Sequence, residues 1–473
     1  MIIKLPQHIE FALNQLKAGG YEAYIVGGCL RDFLIGKAPK DWDITTSALP
    51  EEIEKAFTNS YYNNNFGTVV VNLDGEEVEI TTYRSEAKYT DKRHPDEVKF
   101  GVSLEEDLKR RDFTINALAY DGNDLIDLFK GKQDLENKLI RAVGNPEERF
   151  AEDALRMMRA IRFAAQLNFS IEEKTFQAIQ DQKELIKHVS GERIRDELMK
   201  IIDSDDPFKG MWLLQESGLQ AIILPELENN VGLTQNKHHP YTAYMHALLS
   251  MQFTPTNDPL VKLAALLHDI GKPQTKEGDG LNATFHNHEI VSAKLARKIM
   301  QRLKFSKKDT DRVFHLIKNH MFYYNIGEIT DAGVRRLLKR IGKDNLQDLI
   351  DLRIGDRLGS ACPKAKPYKL QELEERIVEV HKDPISTNML VLDGHGIMEL
   401  LGLKPGPEVG IILNKLLDEV LDDPKRNTLD YLEKRALELK PELKEIDIIE
   451  IRKGIAKKAE KLDSDELKKQ FPE

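Results

Sequence analysis

Two groups of residues in this chain have the types and spacing needed to handle phosphates and metal ions. The first lies in VGGCLRDFLIGKAPKDWDITT, residues 26 to 46, where Gly27 and Gly28 are followed by Arg31 and then by Asp41 and Asp43. On an extended segment alternate residues share a face, so the two aspartates point together while Trp42 and Ile44 point away. Like charges one strand repeat apart repel unless a cation joins them. Hard carboxylate oxygens suit Mg²⁺, which binds through one or two carboxylates together with substrate phosphates. A solvated strand end would account for the pair alone; the Gly-Gly-x-x-Arg-Asp run just upstream tips the reading towards metal. Further along, Arg110, Arg111, Asp112 and Asn116 offer groups that could bind phosphate and sugar hydroxyls, or simply form a surface cluster of opposite charges. Asp153, Arg156, Arg159 and Arg162 then recur every third position. Three arginines on a seam suit a triphosphate, and an aspartate one turn from an arginine could offer an acceptor and donors to a base edge. An interdomain salt-bridge seam is the competing account.

The second group is His246, the adjacent His268 and Asp269, His288, His320 and Asp356. Imidazole with carboxylate suits Mn²⁺, Fe²⁺, Ni²⁺ or Zn²⁺ better than Mg²⁺, and such a metal could generate hydroxide for phosphoester hydrolysis.

These side chains need a scaffold. Residues 5 to 19 carry Ile9, Leu13 and Leu16 at helical spacing, closed by Gly19 and Gly20. YEAYIV reads as a strand entering Gly27-Gly28, and residues 31 to 36 as the start of a helix stopped by Gly36, a layout in which backbone N–H groups can approach phosphate oxygens. The β-branched runs GTVVVNL and EEVEITTYR meet at Asp74-Gly75, a hairpin signal, and should pair beside the Asp41–Asp43 strand. Glu79 could then face the aspartates as a third carboxylate or serve as a salt-bridged sheet residue. The polar stretch from Tyr89 to Phe100 reads as a loop and a candidate mobile arm. Ser103 and Glu106 form a capping box that opens a helix-compatible segment running to Tyr120. The Asp153 to Arg162 seam reads as one edge of an otherwise apolar helical rod.

Composition bounds the rest. With 473 residues the chain has room for about three domains. Its 41% hydrophobic and 31% charged residues are typical of soluble globular proteins, with neither an apolar run of membrane length nor a secretory signal, so a cytoplasmic protein without a membrane partner is expected. Cys29 and Cys362 are too few for a disulfide framework or a thiolate zinc site. A net charge of −10 argues against a generally basic nucleic-acid coat but not against a locally positive cleft.

In order, GGCLRD, DWDITTSALP, EEDLKRRDFTINALAY, EDALRMMRAIRFA and GERIRDEL, spread over residues 27 to 198, resemble the motifs of the class II tRNA nucleotidyltransferase and bacterial poly(A) polymerase family. The resemblance implies an α+β fold: a small mixed-sheet nucleotidyltransferase palm over residues 1–143, a helical neck over 144–224, a further helical domain over 225–362 and a helical RNA-binding tail over 363–473. It implies Mg²⁺ on Asp41 and Asp43, triphosphate and ribose contacts by Gly28, Arg31 and Arg111, and further phosphate contacts by Arg159 and Arg162. Asp153 and Arg156 would pair with the incoming base in place of a template strand. Trp42 stands where the family often has a small residue, and Leu30 where it often has Val; neither is a ligand. The spacing of the histidines and aspartates resembles the HD phosphohydrolase superfamily, which implies His246, His268, Asp269 and Asp356 as ligands. His288 and His320 would complete a second metal position or bind phosphate. LGLKPGPEVG, followed by an amphipathic run with Ile412, Leu416, Leu417 and Val420, resembles the family's RNA-contacting tail. The implied activity is CCA addition to the tRNA 3′ end from CTP and ATP. Rivals are a poly(A) polymerase or a partial CC- or A-adding enzyme and, from another class, an HD phosphohydrolase with a vestigial head. A non-catalytic RNA-binding protein would leave two ligand sets unexplained.

Overall fold

The alternating β-branched runs of the N-terminal region build the sheet that carries Asp43, while Asp41, expected on the same strand, lies in a bend just before it. In the computed structural model, the described residues are 5–39, 41–62, 67–87, 97–235, 240–322, 324, 328–362, 364–380 and 382–440. Among them the N-terminal strands are β1 (Ala23–Val26), β2 (Asp43–Thr46), β3 (Ser60–Tyr62), β4 (Thr68–Leu73), β5 (Glu76–Thr82), β6 (Arg84–Ala87), β7 (Glu97–Phe100), β8 (Leu118–Tyr120) and β9 (Leu125–Asp127). Seven form one sheet in the order β3-β4-β5-β2-β1-β8-β9, while β6 and β7 pair with each other. The sheet is mixed: β2 runs parallel to β5, and its other neighbours are antiparallel. The β4–β5 turn is closed by Asp74 and Gly75 at φ 55° and 91°, the left-handed pair that a two-residue hairpin of matching twist requires. Ile9, Ala12, Leu13 and Leu16 bury one face of the helix Gln7–Ala18, at the spacing read from the sequence.

Two expected elements break where they were read as continuous. After Ser103 the helix covers only Leu104–Lys109; a 3₁₀ turn at Thr114–Asn116 and strand β8 follow. Phe113, Thr114, Ile115 and Tyr120 are β-branched or aromatic, and pairing of β8 with β1 outweighs their weak helix preference. The Asp153 to Arg162 rod is two helices, Pro146–Glu152 and Leu155–Leu167, with Asp153 between them at φ −139°, ψ 103°. The Asp153 carboxylate accepts the Leu155 N–H at 3.1 Å, a local bond that competes with helix continuation.

The chain divides into two compact units, residues 1–320 with 350–363, and residues 321–349 with 364–473. The first holds the sheet, the helices around Leu155–Leu167 and Gly191–Ile202, and the helices Ala243–Phe253, Pro259–Leu267, His288–Arg302 and Lys307–Asn319. In the second, Ile412, Leu416, Leu417 and Val420 are buried on the helix Pro407–Asp422. Buried Arg335 closes that helix end by donating to the carbonyls of Leu421 and Asp422 at 2.7 and 3.1 Å. Among the described residues no helix is long and apolar enough to cross a membrane. Most of the expected loop, residues 88–96, and the Lys/Glu-rich end beyond residue 440 lie outside the described residues.

Candidate functional site

β2 starts at Asp43, and its two neighbours decide what that carboxylate meets. In register, Asp43 faces Val26 of antiparallel β1 and Glu79 of parallel β5, so in the parallel pair Asp43 and Glu79 share a face of the sheet. β1 leads directly into Gly27, at φ 79°, where a Cβ would lie 3.1 Å from Asp43 Oδ2 and 3.4 Å from Arg111 Nη1. Glycine is therefore required for the backbone conformation and for the space taken by these two side chains. Burial pushes the Asp43 carboxyl above its usual pKa; Arg111 opposes this, while Glu79 and the exposed Asp41 add to it. Cys29 lies behind: its thiol donates to the Val26 carbonyl at 3.0 Å, receives the Asp43 N–H at 3.5 Å, and is pushed up to about 12 chiefly by burial.

A chain of polar contacts joins the helix Gly28–Leu34 and the 3₁₀ turn Thr114–Asn116 to the helix Leu155–Leu167. Arg31 Nη1 donates to Asn116 Oδ1 at 2.9 Å, Asn116 Nδ2 donates to Asp112 Oδ1 at 3.1 Å, and Asp112 Oδ2 accepts Arg159 Nε and Nη2 at 2.8 and 2.5 Å. Burial alone would raise the Asp112 pKa, but Arg159 and Asn116 outweigh it and hold the carboxyl well below its ordinary range. Arg111 leans on Asp107 Oδ2 at 3.4 Å, and its buried Nε has no hydrogen-bond partner among the described residues. Arg162 donates to Glu197 at 2.9 Å, and its Nε is also buried without a partner among the described residues. Orphaned guanidinium donors are what an anion-binding site would satisfy.

Asp153 and Arg156 sit at the head of the same helix. Arg193 meets Asp153 through two bonds of 3.2 and 2.8 Å, while Arg156 donates to Glu152 at 2.6 Å and to the carbonyls of Arg149 and Arg110, each at 3.1 Å. Gly28 begins the helix Gly28–Leu34, whose Arg31 reaches Asn116. Arg31, Asn116, Asp112 and Arg159 are thus linked by direct contacts, Asp43 and Arg111 lie together beside Gly27, next to Gly28, and Arg156 and Arg162 lie one helical turn either side of Arg159, with Asp153 just ahead of that helix.

The second group also assembles. His246, His268 and Asp269 bring ligand atoms within 4.8 Å of one another, as do Asp269, His288 and His320. Asp269 is common to both: its Oδ2 is 3.2 Å from His246 Nε2 and from His268 Nε2, and its Oδ1 is 3.1 Å from His288 Nε2 and 4.0 Å from His320 Nε2. Asp356 Oδ1 adds to the first triad, 3.4 Å from His246 and 3.7 Å from His268. His268, His288 and His320 each turn Nδ1 to the carbonyl three residues back, at 2.6 Å (Ala265), 2.8 Å (Phe285) and 2.8 Å (Ile317). A carbonyl can only accept, so each Nδ1 carries a proton, and in the neutral ring each Nε2 would have a lone pair to offer a metal. Buried Lys272 sits 2.5 Å from Asp269 Oδ2.

Comparison with known proteins narrows the reading. Over 426 residues the chain is 37% identical to the CCA-adding enzyme of Lactobacillus helveticus, covering 89% of this chain and 94% of that protein. The chain belongs to the CCA-adding enzyme family. Over 192 residues it is 54% identical to the CCA-adding enzyme of Enterococcus faecalis, covering 40% of this chain and 47% of that protein. The Bacillus stearothermophilus CCA-adding enzyme, solved in complex with CTP, matches with a TM-score of 0.65 at 27% identity over 93% of this chain and 99% of its own. Family models match in chain order: a poly A polymerase head domain at residues 23–141, a probable RNA and SrmB-binding site of polymerase A at 168–230, and an HD domain at 237–380. In a CCA-adding family member, a nucleotidyltransferase reading is favoured over a vestigial head, and CCA addition over poly(A) synthesis.

Several residues of this family member's site escaped the sequence reading. Asp107, fully buried, binds Arg110 at 2.8 Å and Arg111 at 3.4 Å, and its signal was the three- and four-residue spacing to those arginines. Arg193 and Glu197 share a face of the helix Gly191–Ile202, four residues apart in the quoted GERIRDEL run, and reach Asp153 and Arg162. Lys272 follows Asp269 by three residues.

Proposed function

We propose that the chain completes the 3′ end of tRNA, adding C, C and A from CTP and ATP without a nucleic-acid template and releasing one pyrophosphate per nucleotide. The observation that carries this is the convergence, in a chain of this family, of Asp43, an arginine layer with orphaned donors, and the Asp153–Arg156 pair at the head of one helix. Asp41 and Asp43 offer hard oxygen donors, and the raised Asp43 pKa marks a carboxylate whose charge Arg111 only partly matches, so this donor set fits Mg²⁺. When bound, Mg²⁺ supplies activation of the RNA 3′-hydroxyl and charge neutralisation of the leaving pyrophosphate, in an in-line displacement at the α-phosphorus. Arg31, Arg111, Arg159 and Arg162 bind and orient the triphosphate, Gly28 admits phosphate close to the backbone, and Asp112 with Asn116 serves the ribose side and holds the arginines.

Base choice follows from donor and acceptor types. An aspartate accepts and an arginine donates, which matches the amino group and ring nitrogen of C and A, whereas G and U present the reverse order. Among the described contacts Asp153 accepts three bonds and Arg156 gives three, which leaves the carboxylate lone-pair capacity and the guanidinium two N–H groups for a base. Residues 1–143 serve as head, 144–224 as neck, 225–362 as the HD-type domain and 363–473 as the tail that grips RNA. The cytoplasm, where tRNA and nucleoside triphosphates meet, is the compartment this work requires.

Purified protein with Mg²⁺ should extend tRNA lacking its terminus by three nucleotides when CTP and ATP are both present, and Asp41→Ala should abolish this. Growth of long A runs from ATP alone would favour poly(A) synthesis, and arrest after two C or a single A would mark a partial adder.

A second reading rests on the two triads that share Asp269. Their imidazole and carboxylate donors fit Mn²⁺, Fe²⁺, Ni²⁺ or Zn²⁺, and with such an ion the HD domain would hydrolyse phosphoesters, 2′,3′-cyclic phosphates and phosphomonoester ends being the first to test. Hydrolysis with Ni²⁺ or Mn²⁺ that persists in Asp269→Ala would exclude this centre.

A further inference from the structure

Phe163 has no polar group and is only 5% exposed, yet it lies where the arginines meet. The guanidinium carbons of Arg162, Arg31 and Arg159 lie over its ring at 4.3, 5.0 and 5.5 Å from the centroid. Phe113 packs against it edge-on, with centroids 5.8 Å apart and planes at 84°, which fixes the ring. Three guanidiniums brought this close repel. Burial, with Arg159 and Arg31 adding to it, lowers the Arg162 pKa to about 10 even though Glu197 opposes. Among the described residues each arginine has one carboxylate partner, Asp32 for Arg31, Asp112 for Arg159 and Glu197 for Arg162. Further carboxylates would relieve the repulsion but would also repel a triphosphate. An aromatic face attracts cations through its quadrupole and carries no net charge, so it relieves the repulsion without that cost.

The geometry points to Phe163 as a positioning residue for nucleotide binding: a neutral platform that holds Arg31, Arg159 and Arg162 convergent while their charge stays available to a triphosphate. This rests on the reading above that those arginines bind the triphosphate.

Replacing Phe163 in the full chain with phenylalanines of increasing ring fluorination weakens the quadrupole step by step and nearly keeps the shape. The KM for CTP and the inhibition constant of inorganic tripolyphosphate should rise together through the series, reaching about tenfold for the pentafluoro ring, with kcat and melting temperature nearly unchanged. Phe163→Leu should raise both constants at least as much. Constants that stay flat through the series, with Phe163→Leu lowering only the melting temperature, would overturn the proposal and leave the ring as core filler. Arg31→Ala, measured beside them, separates the two levels. If it raises the tripolyphosphate constant while the fluorinated series stays flat, the platform alone fails. If it leaves that constant unchanged, the triphosphate reading fails and the platform falls with it.

Discussion

In the proposed transfer role, Asp43 sets folding against activity. Burial raises its pKa, Arg111 counters, and Glu79 and Asp41 raise it further. A carboxyl whose pKa is higher folded than unfolded destabilises the fold at every pH above its unfolded value, and the cost disappears at lower pH, where both states are protonated. Asp43→Asn should therefore melt at a higher temperature than wild type at pH 7 without metal, with the gain shrinking as the pH falls towards about 4, while nucleotide addition drops by about a thousandfold or more. Thermal unfolding across that pH range checks the sign; an equal or lower melting temperature at pH 7 would mean that Arg111 has fully compensated the carboxylate. Base reading makes a separate demand. If Asp153 and Arg156 choose the base, Asp153→Ala should cut the preference for CTP and ATP over UTP and GTP by about ten- to a hundredfold, measured as ratios of kcat/KM for the four nucleotides. An unchanged ratio would remove Asp153 from selection.

At the scale of elements, the turn between β1 and the helix Gly28–Leu34 is the most constrained piece. Gly27 holds φ 79° and ψ −145°, a region that side chains avoid, and a Cβ there would press on Asp43 and Arg111. Gly27→Ala should cost about 1–3 kcal/mol of stability and raise the Mg²⁺ concentration needed for half-maximal addition, which chemical denaturation and a metal titration would show. This turn was legible in the sequence because a strand pattern ended at a glycine pair, and the β4–β5 hairpin because Asp74-Gly75 separated two alternating runs. Contacts between distant segments were not. Arg162 and Glu197 are 35 residues apart and Asp153 and Arg193 are 40 apart; periodicity shows which face of a helix is special but not which helix will cover it. The same limit explains the misread rod. Charges at every third position fit one helix, yet Asp153 spends its carboxylate on the Leu155 N–H and on Arg193, a competition that spacing alone does not reveal. The histidine–aspartate cluster was legible as a set because His268 and Asp269 are adjacent in a recognisable order, whereas the carbonyls that fix the three imidazoles depend on backbone geometry.

At the scale of the whole molecule, the proposed transfer site and the proposed HD centre should be separable. Asp269 is the point at which to separate them, since both triads need it. Asparagine there would also leave Lys272, a buried cation whose ammonium lies 2.5 Å from Asp269, with Gln235 but without a carboxylate partner, so a single substitution confuses metal loss with misfolding. Removing one partner of a buried pair typically costs about 3–5 kcal/mol, while replacing both with uncharged groups often costs little. Asp269→Asn should accordingly melt well below wild type, and Asp269→Asn/Lys272→Met should recover most of that loss without recovering the metal. Wild type stripped and reloaded with Mn²⁺ or Ni²⁺ should retain up to two ions per chain by elemental analysis, one for each triad, and the double variant should retain none. With Mg²⁺ the double variant should still add CCA within about threefold of wild type, because the two sites share no partner among the described contacts and sites without shared partners act independently. Metal retained by the double variant would take Asp269 out of the ligand set, and loss of CCA addition from a well-folded double variant would show that the HD centre and the transfer site are coupled.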